Sequence, residues 1–270
     1  MSQPPVDVPP LSPDEVHAQF QIQTLQMASP WRWLRAGWQD LWSHPGIAFF
    51  YGVCFCGMAW ALRLVFYNNP EYTLSAISGC LLVGPFLALG LYDVSLRKER
   101  GEVTTLRNSL FCWRSHVPTM GMLVMVMIVL ELLWGRASLV VFAVFFNTGL
   151  PSTASVLEAV FNPQNWEFVA AYVFVGGFFA GLVFASMMVA IPMILHRDTD
   201  AITACVTSLR VFVTQTGPCV VWALVIFFSV MLALWLWGLG LLLIGPWLGF
   251  ASWHAYRDAV VQVALPQRDQ

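Results

Sequence analysis

The sequence predicts an all-α, polytopic membrane protein of six transmembrane helices, in three repeats of an interfacial helix plus two spans. Three observations predict it. Of 270 residues, 58% are hydrophobic and only 10% charged, whereas soluble domains carry roughly a quarter charged residues. That leaves too little polar surface to cover a globule in water, which excludes a soluble enzyme, a nucleic-acid binder and a disordered chain. Six stretches, roughly 46–67, 72–95, 119–146, 167–195, 217–237 and 239–256, approach the ~20 apolar residues a crossing needs. The basic residues between them fall almost entirely on one side.

Residues 1–28 read as a cytoplasmic tail, 29–262 as the transmembrane domain and 263–270 as a second cytoplasmic tail. Pro4, Pro5, Pro9, Pro10 and Pro13 block early regular structure. Ser12-Pro13-Asp14-Glu15 then has the N-cap, N1 proline and N3 glutamate of a helix start, predicting a short helix to about Met27. Met1 to Pro30 lacks the basic-then-apolar pattern of a signal peptide. Ser29 as N-cap and Pro30 at N1 open an interfacial helix to Trp42, whose apolar stripe is Trp31, Leu34, Trp38, Leu41 and Trp42. Such a helix places its aromatic residues at the headgroup boundary.

The first two spans follow, the second carrying Gly84-Pro85. The third, with an apolar run from Met120 to Phe146, is about 40 Å long as one helix, more than the hydrocarbon core requires. It either tilts and protrudes or breaks near Gly135 and lays 137–146 along the outer interface; the break is the preferred reading. The outer loop from Asn147 to Trp166 leads to the fourth span, with Ile191-Pro192. The last two spans form a hairpin at Gly238-Leu239-Gly240.

Arg32, Arg35, Arg97, Lys98, Arg100, Arg107, Arg114, Arg197, Arg210, Arg257 and Arg268, 11 of the 13 basic residues, lie on the side of both termini. The positive-inside rule makes that side cytoplasmic. The exceptions, Arg63 and Arg136, each stand 18 residues after a helix-entry proline, Pro45 and Pro118, about 27 Å along a helix. The segments GWQDLWSHPGI, NSLFCWRSHVPTM and TSLRVFVTQTGPCV each end at such a proline, the third at Pro218. With Pro85, Pro192 and Pro246 in the even spans, they suggest repeats over about 29–100, 101–200 and 201–262, a pattern common in membrane proteins.

The strings GWQDLWSHPGIAFFYG and GPFLALGLYDVSLRKERGE resemble an uncharacterised family of bacterial six-span membrane proteins. The likeness covers most of the chain and is densest from Trp38 to Glu102. Asp93 stands where the family has glutamate, and Leu96 where it has arginine. The resemblance implies a multi-pass protein of the bacterial inner membrane and brings no established activity. Some members are labelled putative cytochrome c oxidase proteins. An oxidase core needs several histidines inside spans. The five here, His17, His44, His116, His196 and His254, lie in the tail or near the cytoplasmic boundary, so the label finds no support in the residues.

Few residues can carry chemistry. Glu131 lies about 20 Å along the third span, where a carboxylate costs several kcal/mol unless paired, wetted or protonated. Arg63 at equivalent depth is the neater partner and Arg136, on the same helix, the awkward one. The readings are an ion pair locking spans one and three, a proton or substrate relay, or a protonated acid. Pro85, Pro192 and Pro246 free the carbonyls of Leu81, Met188 and Leu242. With Gly84 and Gly245 beside them they allow either close packing or a cytoplasmic cavity. Asp93, Asp200 and His254, with Asp258, are expected at a cytoplasmic mouth, either as a cation site or in ion pairs with neighbouring arginines.

The methionines of spans three and four and the six dispersed cysteines read as apolar filler. No metal or cofactor is expected, and enzyme motifs are absent. The expected surroundings are the lipid bilayer, with membrane-protein partners or a homo-oligomer and no nucleic acid. The sequence favours a small transport or lipid-handling protein with a proline-kinked interior; the alternative is a non-catalytic accessory or assembly component of a larger respiratory or envelope complex.

Overall fold

The computed structural model describes residues 20–68, 73–146 and 162–262. The proline-rich start, most of the outer loop and the C-terminal tail lie outside the described residues. The description opens on a strand, β1 (Phe20–Ile22), paired antiparallel with β2 (Val260–Gln262), Gln21 opposite Val261. The helix expected to reach Met27 is therefore corrected from Phe20 onward. Phe20-Gln21-Ile22-Gln23 alternates apolar and polar residues, the period of a strand, and the other end of the chain supplies its hydrogen bonds. Beyond the ribbon, the Gln23 N–H donates to the Ala259 carbonyl at 3.0 Å and the Leu25 N–H to Gln215 Oε1 at 2.9 Å.

Helix α1 (Ser29–Ser43) turns at His44 into α2 (Pro45–Asn68), and α3 (Thr73–Glu99) carries Pro85 inside it. The short α4 (Leu106–Phe111), capped by Thr105, and a 3-10 turn (Cys112–His116) feed α5 (Val117–Phe145). After a 3-10 turn at Pro163–Asn165 come α6 (Trp166–Met187), α7 (Ala190–Arg197), α8 (Ala201–Thr214), α9 (Thr216–Trp235) and α10 (Leu241–Ala259). Among the described residues, four stretches are long and apolar enough to cross a membrane: Pro45–Asn68, Leu106–Phe145, Trp166–Arg197 and Thr216–Trp235. Helices α3 and α10 are the other two stretches expected as spans.

Two local expectations change. Ala28, not Ser29, is the N-cap of α1. Ser29 is buried one position inside, its hydroxyl accepting from the Gln26 N–H at 3.2 Å and the Arg32 guanidinium at 2.8 Å. Helix α5 does not break near Gly135 but runs unbroken to Phe145. A mid-helix glycine costs only ~1 kcal/mol, whereas opening the helix in lipid strands several backbone polar groups.

The core lies toward the end of the bundle where α1, α4 and α8 sit, here termed the base. Its centre is α10, where Phe250, Ala251, Trp253, Ala255, Tyr256 and Ala259 are all buried. Helix α1 seats Trp33, Leu34, Gly37, Asp40 and Leu41 on α10 and its surroundings. A Cβ on Gly37 would stand 2.6 Å from the Ala251 nitrogen, so only glycine lets these helices approach so closely. The expected α1 stripe is thus divided: Leu34 and Leu41 face inward with Trp33, while Trp31, Trp38 and Trp42 are exposed. Away from the base, α2, α5 and α9 expose Leu, Val, Phe and Trp, a surface lipid covers without penalty.

Candidate functional site

At Pro246 the helices pack closely. Pro246 frees the Leu242 carbonyl, and that oxygen lies against Gly52 of α2, where a Cβ would overlap it. A Cα–H contact of this kind partly satisfies a freed acceptor. Gly245 faces the Phe55 ring, 2.7 Å from the place of its missing Cβ, while the corresponding position at Gly84 is open. Near Pro192 the helix breaks, at Met188–Val189 between α6 and α7. The break is bridged by Ser208 of α8: its hydroxyl accepts from the Val189 N–H at 3.1 Å and donates to the Ala185 carbonyl at 2.6 Å. One side chain thereby replaces the lost backbone hydrogen bond.

The expected intramembrane ion pair does not form among the described residues. Arg63 caps the far end of α2, its guanidinium 4.1 Å from the Trp237 ring centroid and 5.1 Å from that of Tyr67, a cation–π arrangement. Trp237 holds φ at 60° and Gly238 at 76°, which makes the sharp turn between α9 and α10. Arg136 is exposed on α5. Glu131 keeps a buried Oε1 with no hydrogen-bond partner.

The three mouth candidates go to separate duties. Asp93 receives the Arg97 guanidinium at 2.8 Å. Asp200 caps α8, accepting from the Thr203 N–H at 2.9 Å. His254 reaches Asp40 of α1, Nε2 to Oδ2 2.8 Å. No group of three His, Cys, Asp or Glu able to hold a metal occurs among the described residues.

Asp40 is the centre that sequence reasoning missed. It is buried, and besides His254 its carboxylate accepts from the Ser95 hydroxyl at 2.6 Å and the Lys98 ammonium at 2.7 Å. Burial pushes its carboxyl up, but the hydrogen bonds from His254, Lys98 and Ser95 together outweigh that and hold it at about 2. The available signal was positional: Asp40 falls on the i, i+3, i+4 face of Trp33, Leu34, Gly37 and Leu41. Around it, Glu99 accepts from the Trp253 indole at 2.8 Å and pairs with Arg257 at 3.0 Å. Asp258 accepts from Trp33 at 2.9 Å and pairs with Arg32 at 3.0 Å. These bonds tie α1, α3 and α10 into one base.

Beside the base, a cleft of about 490 Å³ opens between the end of α3, α4 with its 3-10 turn, and α7. Arg97, Arg100, Asp93, Asp198, Asn108, Ser115, His116 and His196 supply its polar lining, and Leu96, Phe111 and Leu195 its apolar part. One edge is bridged by His116 Nε2 and Asp198 Oδ1, 2.6 Å apart. Behind it, His196 Nδ1 meets the Tyr256 hydroxyl at 2.9 Å. Chemically, the cleft sets Arg97 and Arg100 beside the carboxylates of Asp93 and Asp198, with neutral donors and an apolar patch between them; Arg97 is already paired with Asp93.

Residues 73–196 match the model of a family described as a predicted integral membrane protein (DUF2189). The matched stretch runs from the start of α3 almost to the end of α7 and contains nearly the whole cleft lining. Asp40 and α10 lie outside it. No curated protein and no solved structure matches the chain. The family description and the long apolar helices agree: the chain is an integral membrane protein.

Proposed function

We infer that the chain is a six-span lipid-handling or small-solute transport protein, and that the cleft beside the base is where it takes its ligand. The observation that carries this is the mixed lining: charged groups of both signs (Arg97, Arg100, Asp93, Asp198) and neutral donors beside Leu96, Phe111 and Leu195. An amphiphile with a polar or zwitterionic head matches such a site, since ligand clefts pair apolar walls with a few placed polar groups. The cleft, rather than the proline-kinked interior, is the working element, because Gly52 and Gly245 are packed against neighbours at the third kink. The reading includes both termini on the cytoplasmic face of a bacterial inner membrane, and three repeats. Each repeat's surface helix (α1, α4 with its 3-10 turn, and α8) precedes a membrane helix. The residues that close these three segments, His44, His116 and Gln215, share φ between −134° and −114°.

Filling the cleft tests the reading. Asn108 is exposed in its wall, so Asn108→Trp blocks it without entering the core. Purified wild-type protein in liposomes is expected to move or exchange a headgroup-labelled lipid or a polar solute, and Asn108→Trp to lose that activity while remaining folded. Equal behaviour of the two proteins removes the cleft from the mechanism.

A second reading, an accessory component of a larger membrane complex, draws on Glu131. Its unpartnered Oε1 in α5 is suited to a donor brought by a neighbouring subunit. Under that reading Glu131→Gln weakens co-purification with the complex and leaves liposome activity unchanged.

A further inference from the structure

We propose that the outward faces of the three surface helices form a collar that binds anionic phospholipid headgroups. The pattern of paired and unpaired cations at the base carries the proposal. Every carboxylate described there is engaged: Asp40 by Lys98 and His254, Asp93 and Glu102 by Arg97, Glu99 by Arg257, Asp258 by Arg32, Asp198 by His116, and Asp200 by the α8 backbone. Arg197 donates from its guanidinium to the Val260 carbonyl at 2.9 Å, and four arginines at the base have no carboxylate among the described residues. They are Arg35 on α1, Arg107 on α4, Arg114 on the 3-10 turn and Arg210 on α8. All four are exposed. The unpaired cations therefore fall on the three helices that lead directly into membrane helices, and the cations packed in the base are paired.

Each of these helices also carries apolar groups suited to the headgroup boundary. On α1, Trp31 and Trp42 are 64% and 61% exposed, with Trp38 between them. Trp113 is exposed beside Arg114, whose guanidinium sits 4.1 Å over the Phe111 ring. On α8, Val206, Leu209 and Val213 are exposed beside Arg210. Indole rings favour the membrane interface, and arginine stems lie along apolar surface while the charged head reaches outward. Lys98–Asp40 ties α1 to α3, from whose end α4 follows, and His116–Asp198 ties the 3-10 turn after α4 to the residues that open α8. Four unpaired guanidinium groups ringed by exposed aromatic and aliphatic side chains complement a layer of phosphates that carries net negative charge. A zwitterionic layer offers the same apolar contact without the charge. The proposal rests on the chain being membrane-embedded and is independent of the cleft.

The test uses the full chain reconstituted in vesicles of equal phosphatidylglycerol and phosphatidylcholine, extracted in a neutral detergent, with the retained phospholipid quantified. The wild type is expected to retain phosphatidylglycerol in excess, and the excess to fall as salt rises. An arginine near an anionic headgroup is worth roughly a fivefold change in affinity. Each of Arg35→Gln, Arg107→Gln, Arg114→Gln and Arg210→Gln should lower the excess, and the quadruple variant should abolish it. The quadruple Arg→Lys variant keeps it, and Arg136→Gln on the distant part of α5 has no effect. If the quadruple glutamine variant fails to fold, the four single variants read the same quantity. Asn108→Trp, which blocks the cleft, should leave the excess intact, so failure of the cleft reading and failure of the collar give different results. Equal retention of both lipids by the wild type, or wild-type excess in the folded glutamine variants, overturns the proposal.

Discussion

Asp40 shows how a single side chain can organise one end of a membrane protein. Its carboxylate accepts from three side chains on two other helices, and removing it leaves Lys98, Ser95 and His254 facing an empty site. Breaking such a pair from one side costs about 3–5 kcal/mol when fully buried. Lys98 is partly exposed, so Asp40→Ala should cost about 2–3 kcal/mol in thermal unfolding. The pH dependence has a definite sign. The carboxyl ordinarily titrates near 3.8 and in the fold near 2, so the unfolded chain takes up the proton first. Its stabilisation, about 2 kcal/mol, is present above about pH 4 and is lost as pH falls toward 2. The stability gap between wild type and Asp40→Asn should therefore narrow over that window; a gap independent of pH between 2 and 6 would contradict the assignment. The residue was within reach of the sequence, standing in the GWQDLW string and on the inward face of α1. Its partners were not, because Ser95, Lys98 and His254 come from helices whose mutual rotation no spacing rule gives.

At the scale of elements, the glycines and prolines separate into those that touch something and those that do not. Gly52 admits the Leu242 carbonyl that Pro246 releases, while Gly57, further along the same helix, has nothing near the place of a Cβ. Gly52→Ala should destabilise the α2–α10 pair by about 1–3 kcal/mol through overpacking. Gly57→Ala should be neutral or slightly stabilising through helix propensity. Thermal unfolding of the two variants in one detergent makes the comparison, and equal effects would sink the packing account. The α6–α7 break gives a second test. Ser208→Ala strands the Val189 N–H and the Ala185 carbonyl, at a cost of about 1–3 kcal/mol, whereas Ser208→Thr retains the hydroxyl and recovers part of the loss. The sequence located this break through Pro192 but gave no sign of Ser208, which is brought to it by the packing of α8 on α6. The α9–α10 hairpin, by contrast, was readable in part from Gly238, whose left-handed backbone at a tight turn is a local demand, whereas the left-handed Trp237 beside it carried no sequence signal.

For the whole molecule the decisive matter is whether α10 crosses the membrane. It carries Ser252, His254, Arg257 and Asp258 in its last turns, and its composition places it outside the four helices that qualify by length and hydropathy. Geometry argues for a crossing. Helix α9 has 20 residues and α10 has 19, about 30 and 28 Å, close to the hydrocarbon thickness. Joined by a tight turn, they return the chain to the level where α9 began, beside α8 and its Arg210. The polar end of α10 then lies in the base, where Asp40 and Glu99 meet it, and its charges never enter lipid. The mean hydropathy of α10 averages that polar end with the apolar start, and Arg210 and Arg257 on either side of the hairpin are the residues from which the sequence argues for a paired crossing. Cysteine labelling checks it. In a background with the six native cysteines replaced, Glu102→Cys and Leu239→Cys should react with a membrane-impermeant maleimide from opposite faces of sealed vesicles. Labelling from the same face would mean that α9 and α10 do not cross as a pair. The span count would then fall by two, and Arg63 and Trp237 would have to meet somewhere other than the outer boundary.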